Sequence, residues 1–293
     1  MVYDKLNPYT KQFLINIKMN NYEFRLGCLD NNEISSLIDL FKNAFPKSNK
    51  FSKEYLTWQY IDNPIGLAVS FNAYKDNCLV AHYATIPIKM IINNNEKLGL
   101  LSLNTATHPQ HQGRGLFKEL ANRTFEYAKE KGYEFVIGAA NANSTHGFLK
   151  NLGFYLISPL DVKIGTGKIK MKDNPRCYVF WDKESITWRL KNPSSNYYTT
   201  NRCTNIYSNM IIGIKAFIKS CNVNNYQIKR NNTILHPFNL YVGIGIDKNL
   251  FYYRVPKFIK HSPFNLVFKD LVGNLPIISK NDIKFELFDF DVI

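Results

Sequence analysis

The chain has 293 residues, enough for one large domain or two of ordinary size, and its 45% hydrophobic and 14% aromatic content excludes a disordered polymer. Lysine and arginine outnumber aspartate and glutamate by 37 to 23, and the scattered surplus of +14 favours phosphate-bearing partners without choosing among anions. Five separated cysteines with no Cys-x-x-Cys pair exclude a disulfide frame and a zinc ribbon. No metal is expected. The first residues lack a signal-peptide core and no run is apolar enough to span a bilayer, so a cytoplasmic protein is expected.

A first strand is predicted from Tyr22 to Cys28. Asn31 or Asn32 can cap a helix running to about Phe45, with Ile34, Leu37, Ile38 and Phe41 as its apolar stripe. Ser52 can cap a second helix that carries Tyr55, Leu56 and Trp58, and Asn63-Pro64 stops it. Strands follow at Ala68 to Tyr74, Cys78 to Asn93 and Leu100 to Thr107, with a turn at Asn93-Asn94-Asn95. A glycine loop then opens a helix that extends to about Lys131, with Leu116, Leu120, Phe125 and Ala128 inward and Gly132 just past its end. Glu134 to Ala139 reads as a short buried strand, Ser144 to Leu152 as a helix, and Gly153-Phe154 as the opening of another strand. The order over about 22–160 is β-α-α-β-β-β-α-β-α-β, which predicts a mixed sheet covered by helices.

The second half echoes the first. Lys53-Glu54, Thr57-Trp58 and Asn63-Pro64 return as Lys183-Glu184, Thr187-Trp188 and Asn192-Pro193, with the second copy one residue shorter. A duplication follows, with a boundary near 160–180 and a polar linker from Lys168 to Pro175. Trp58 and Trp188 are expected as core anchors.

The most informative segment is Thr105-Ala106-Thr107-His108-Pro109-Gln110-His111 and the Gln112-Gly113-Arg114-Gly115-Leu116-Phe117 that follows. A strand ends, glycines follow, and a helix begins at once. First-turn amides of a helix lack internal partners and carry positive dipole charge. Glycines let a diphosphate approach them closely, and Arg114 adds a full charge. The chain has no Gly-x4-Gly-Lys-Ser/Thr loop, and this turn lacks a complete Gly-x-Gly-x-x-Gly.

This loop resembles motif A of the GNAT N-acetyltransferase superfamily, Gln/Arg-x-x-Gly-x-Gly/Ala. Gln112 and Gly115 match, and Phe117 stands at the final small position. A register starting at Gln110 also fits the formula, but the one from Gln112 places Thr107-x-Pro109 at the family's usual spacing. Asn143-Ser144 followed by Phe148-Leu149-Lys150-Asn151-Leu152-Gly153-Phe154 resembles the family's closing segment. The wording of the loop looks like that of GNAT proteins of bacterial surface-sugar biosynthesis.

The resemblance implies an α/β (α+β) fold with a GNAT-like mixed, splayed sheet flanked by helices. It assigns 1–165 to acetyl-CoA binding and 175–293 to a second, degenerate GNAT-like domain that shapes the acceptor site. Gly243-Ile244-Gly245 is expected to serve packing there, not phosphate. The co-substrate would be acetyl-CoA, its arm beside Thr105, Ala106 and Thr107, its diphosphate on Gln112, Gly113, Arg114, Gly115, Leu116 and Phe117, with Asn143 beyond. Tyr60, Asn104 and Asn141 are candidates for the acceptor site, and His82 is the candidate base, with a structural histidine as the alternative. His108 is expected at the surface. The family's usual tyrosine acid falls at Leu149, so that role is not carried over; Tyr155 and His146 are close but out of register. Asp289 and Asp291 either face the acceptor pocket or lie at an exposed edge.

The implied function is an acetyl-CoA-dependent N-acetyltransferase acting on a small amine, with a phosphorylated, nucleotide- or lipid-linked amino sugar as the acceptor class. Nucleic acid is not expected as a partner. The alternatives are a tandem-GNAT aminoacyl transferase of the Fem type, which uses charged tRNA, and a non-catalytic acetyl-CoA sensor.

Overall fold

The computed structural model describes residues 21–167, 169–200, 203–211, 213–231, 236–246, 252–256 and 264–290. Strand β1 (Glu23–Leu26) leads to helices α1 (Asn31–Ala44) and α2 (Lys53–Tyr60). Asp30, one residue earlier than expected, caps α1 by accepting from the Glu33 amide, because an aspartate oxygen in extended backbone reaches that orphan donor. Ser52 caps α2 in the same way at Tyr55. Then come β2 (Val69–Lys75), β3 (Cys78–Ile92) and β4 (Asn95–Thr107), the last starting directly at the Asn93–Asn94 turn. Both turn residues take left-handed backbone, which asparagine tolerates. Helix α3 (Leu116–Glu130) and β5 (Phe135–Ala140) follow. Helix α4 (Ala142–His146) continues into a π-helical turn, Gly147–Asn151, before β6 (Tyr155–Pro159).

The second half contributes β7 (Asp161–Thr166), β8 (Cys177–Phe180), α5 (Lys183–Leu190), β9 (Tyr197–Thr199), β10 (Asn205–Ile211), β11 (Ile214–Ser220), β12 (Lys229–Arg230), β13 (Phe238–Gly243), β14 (Tyr252–Arg254), β15 (Asn265–Asp270) and β16 (Ile283–Lys284). The first sheet runs β1-β2-β3-β4-β5-β15-β6, with β8 joined to the far end of β3 and β16 to β8. The second runs β12-β9-β10-β11-β13-β7-β14.

From β2 onward the two orders are the same in sense. In each sheet three strands pair antiparallel, the third pairs parallel with a fourth, and two antiparallel strands close the row. The last two strands reveal an exchange. β15, from the end of the chain, lies between β5 and β6, and β7 lies between β13 and β14. The expected division falls between β7 and β8, and these two strands cross it in opposite directions.

The halves meet on a pseudo-two-fold. The indole N–H of Trp58 donates to the Trp188 carbonyl at 2.8 Å, and that of Trp188 donates to the Trp58 carbonyl at 2.8 Å. The rings stack with centroids 5.0 Å apart. Both are buried, so each pair supplies dispersion and satisfies two polar groups that burial would otherwise strand. The Asn-Pro repeat is an equivalent turn: Asn63 Oδ1 accepts from Ile65, and Asn192 Oδ1 from Ser194. No helix among the described residues is long and apolar enough to cross a membrane.

Candidate functional site

Strands β4 and β5 run parallel and pair from Gly99–Phe135 to Ser102–Gly138. Beyond that point both continue without pairing to each other, so the sheet splays between residues 103–107 and 139–140. The cause lies on the other side of β4. Leu103 pairs with Ala84 and Ala106 with His82, so Asn104 and Thr105 together face Tyr83. This is a β-bulge, which bends its strand and sharpens the twist. Asn104 takes φ +47°, the left-handed conformation found in the G1 type of bulge and one that asparagine accepts better than other non-glycine residues.

Past the splay, β4 hands over to the glycine loop. The His108 amide donates to Val80, fixing the end of β4 on β3. Pro109–His111 form one 3-10 turn, and Tyr22 anchors it through a 2.8 Å hydrogen bond between its hydroxyl and His111 Nδ1. Gly113 and Gly115 have φ of +72° and +76°, and a Cβ at either would point into open space. Gly115 is the N-cap of α3 and offers no side chain to its first turn. The amides at the start of α3 are therefore presented at an exposed loop, where an anion can accept from them. Arg114 lies exposed beside them, its guanidinium donating to the Gln110 carbonyl at 3.3 Å. Gln112 is also exposed, and its Nε2 donates back to the Thr107 carbonyl at 3.4 Å.

Leu116 and Phe117 face the other way. Leu116 is buried in the core under α3. The Phe117 ring sits edge-on to Tyr83 at 5.9 Å and to Phe148 at 5.5 Å. Gly147 makes this possible, since a Cβ there would lie 2.8 Å from the Phe117 ring. The bulky residue at the final motif position is thus an inward anchor for the loop, and it stays out of the glycine face.

The structure gathers Asn104, Thr105, Ala106 and Thr107 at the splay and Gln112 to Gly115 at its mouth. Asn141 lies at the tip of β5, caps α4 by accepting from the Ser144 amide, and is exposed, as is Asn143. Tyr60 and His82 are enclosed instead, both 0% exposed. The Tyr60 hydroxyl lies 3.0 Å from His82 Nε2, and His82 Nδ1 lies 2.6 Å from Asn72 Oδ1. The amide oxygen can only accept, so Nδ1 carries the proton and the tyrosine donates to Nε2. Burial pushes the His82 pKa down to about 3, which keeps the ring neutral. Burial also raises Tyr60 well above the ordinary phenol range.

The Tyr60 oxygen in turn accepts from Asn104 Nδ2 at 3.1 Å, and Gln59 Oε1 accepts from the same amide. Gln59 is fully buried and its own Nε2 donates to Tyr55. Sequence reading missed Gln59, Asn72 and Tyr83 as neighbours of the site; their contacts are long-range, and no local pattern signals them. Leu149 packs half-buried against the α3 core. The Tyr155 hydroxyl accepts from the Ile278 amide, so it is occupied elsewhere. His146 is exposed and His108 half-exposed.

In the second half, Asp289 is buried, held by the Trp181 indole at 2.7 Å, and so does not lie on an exposed edge; Asp291 lies outside the described residues. Gly243 and Gly245 take close backbone packing: a Cβ at Gly243 would lie 2.2 Å from the Phe285 carbonyl oxygen.

Comparison with known proteins agrees with this geometry. The family model described as "Acetyltransferase (GNAT) domain" matches residues 28–157. A sequence search of curated proteins returns no match. Among solved structures, a probable N-acyltransferase from Enterococcus faecalis V583 superposes with a TM-score of 0.60 at 10% identity, covering 85% of this chain and 73% of its own. A GCN5-related N-acetyltransferase from Kribbella flavida gives 0.59 at 9% identity, covering 85% and 71%. Saccharomyces cerevisiae N-myristoyltransferase, solved with myristoyl-CoA, gives 0.50 at 10% identity, covering 71% and 64%. At such identities these likenesses establish the fold, and at 85% coverage they extend it well past residue 157. Residues 28–157 form a GNAT acetyltransferase domain.

Proposed function

We propose that the chain transfers an acetyl group from acetyl-CoA to a small amine. The observation that carries this reading is the joining of the β4–β5 splay to an uncapped helix start behind two left-handed glycines. The amides of Gly113 to Phe117 and the Arg114 guanidinium would hold the diphosphate. The arm would lie between residues 103–107 and 139–140, where strand-edge groups can bind it as an added strand. Asn143 and Asn141, exposed at the tip of β5, would border the acceptor.

The amine nitrogen attacks the thioester carbonyl carbon, a C–N bond forms and the C–S bond breaks. The sulfur leaves as thiolate, and the proton lost by the amine goes to solvent. A thiolate is a good enough leaving group for Leu149 in the usual acid's place to be tolerated. His82, held neutral and enclosed, is better suited to supporting Asn104 than to taking that proton. The acceptor class we favour is a phosphorylated amino sugar, because the net charge of +14 attracts it to the surface. The second half would shape the acceptor side, and a cytoplasmic location would supply the donor.

Calorimetry and thermal shift with acetyl-CoA test the reading. A thousandfold excess over Kd should stabilise the protein by about 4 kcal/mol. Gly115→Val forces a branched residue into left-handed backbone and sets a side chain in the diphosphate's path; it should weaken binding at least about 100-fold, roughly 2.7 kcal/mol. Folded wild type with no acetyl-CoA response, or a variant that binds as the wild type does, would reject the assignment.

A further inference from the structure

Asn104 is the residue on which the splay turns, and its side chain points back into the protein. Its Nδ2 donates to Gln59 and to Tyr60, and these two acceptors belong to α2, an element from outside the sheet. Each is fixed by a further buried partner. Gln59 Nε2 is bound by Tyr55, Tyr60 by His82, and His82 by Asn72 on β2. Tyr55, Gln59, Tyr60, Asn72 and His82 are all 0% exposed. The His82 ring is further wedged edge-on against Phe41 of α1, with centroids 5.7 Å apart. A chain of donors and acceptors thus runs from β2 through β3 and α2 to the bulge, every link pointing the same way from Asn104 to Asn72.

Every donor and acceptor from Asn104 to Asn72 Oδ1 is matched, which holds the chain in one geometry, and only Asn72 Nδ2 at its far end is buried without a partner. The bulge needs such a clamp. Left-handed backbone at a non-glycine residue costs about 1–2 kcal/mol, and without side-chain anchors Asn104 would be free to relax towards regular pairing with β3. Relaxation would realign residues 104–107, whose edge faces the parted end of β5.

We infer that Gln59, Tyr60 and His82 are positioning residues that act through Asn104, holding the β4 bulge so that its backbone meets the donor's thioester carbonyl. The inference rests on the proposed acetyl-CoA reading and deepens it by assigning the donor cleft's geometry to a side-chain network outside the cleft. It gives His82 a task that needs neither exposure nor charge.

The test reads the donor itself, with [1-13C]acetyl-CoA, so no acceptor amine need be known. The bound carbonyl signal of the wild-type full chain should be displaced from its free value by the hydrogen bond it receives. Asn104→Gly removes the anchors and leaves residue 104 free to take either hand of backbone, so nothing holds the bulge in one geometry. It should lose most of that displacement while acetyl-CoA Kd stays within about threefold, since the diphosphate loop is untouched. Gln59→Leu and Tyr60→Phe should each lose part of it. Added to Asn104→Gly, neither should lose more, because residues acting through one another are not additive. A wild-type displacement that Asn104→Gly leaves intact, or losses that add across the double variants, would overturn the inference alone. Wild-type protein that shows no bound signal would overturn the donor assignment, and the inference with it.

Discussion

The two sheets hold the same parting of strands in two different states. In the first, β4 and β5 separate after Ser102 and Gly138, and a glycine loop with a 15-residue helix follows β4. In the second, β11 and β13 pair only from Ile214–Phe238 to Phe217–Tyr241, and β11 carries its own irregularity opposite Ile206–Tyr207. There the opening is filled by the chain's own end. Phe285 exchanges both backbone hydrogen bonds with Ile244, and Glu286 accepts from the Ser220 amide at 3.1 Å. The turn Leu287–Asp289 closes against β11 and β13. Between these strands the described residues contain no helix to match α3.

The helices that flank the two openings repeat the contrast. Gln59 of α2 reaches the bulge of β4, whereas Arg189, its counterpart on α5, donates to the carbonyls of Phe288 and Phe290 in the filling segment. Counting from the matched pairs, Lys219 stands where Asn104 stands in the first sheet. It lies 3.2 Å from Glu286 and 3.9 Å from Asp289. Burial alone would lower the Lys219 pKa, but the two carboxylates outweigh it and hold it raised. Burial raises Asp289 in spite of Lys219. The comparison teaches that two sheets with the same strand order can keep the same parting while, among the described residues, only the first follows it with a glycine loop and a helix start.

The largest expected effect breaks the second half alone. Lys219→Met leaves buried Asp289 without its cation and buried Glu286 with Lys284 alone, and should cost about 3–5 kcal/mol in denaturant unfolding. Acetyl-CoA affinity of the folded fraction should not change; a tenfold loss would mean the filled opening and the donor site are one unit. The seam between the halves comes next. Trp58→Phe removes the indole donor from the Trp188 carbonyl, which keeps the Lys191 amide at 3.0 Å, and should cost about 0.5–1.5 kcal/mol, again with donor affinity kept.

A pH-dependent effect sharpens the first half. His82 has a folded pKa of about 3 against an ordinary 6.5, so its contribution is fully present above pH 6.5 and is lost as the pH falls towards 3. Across that window it removes up to about 1.4 kcal/mol of stability per pH unit. His82→Asn should flatten that part of the stability–pH curve, and an unchanged slope would show that the ring is not held neutral.

Much of this architecture was legible in the residues. The apolar stripe of α1, the Ser52 cap and the Gly113–Gly115 loop are local signals, and each lies where its chemistry demands. The echo of Trp58 in Trp188 is a local pattern too, and the reciprocal indole bonds give it its reason. The exchange of β7 and β15 was not legible, because a short strand such as Asn265–Asp270 carries no mark of the sheet it will join. Nor was the bulge: Asn104 tolerates left-handed backbone but does not announce it. His82 illustrates the same limit at the site, since its burial and its two partners come from residues 10 and 22 positions away.

The most direct test of one donor site on two related sheets is the stoichiometry of acetyl-CoA binding. Titration calorimetry of the full chain should give one molecule bound per chain, and Gly115→Val should abolish that heat while thermal unfolding shows the variant folded. Two molecules per chain, or a residual full-strength site in Gly115→Val, would contradict the account.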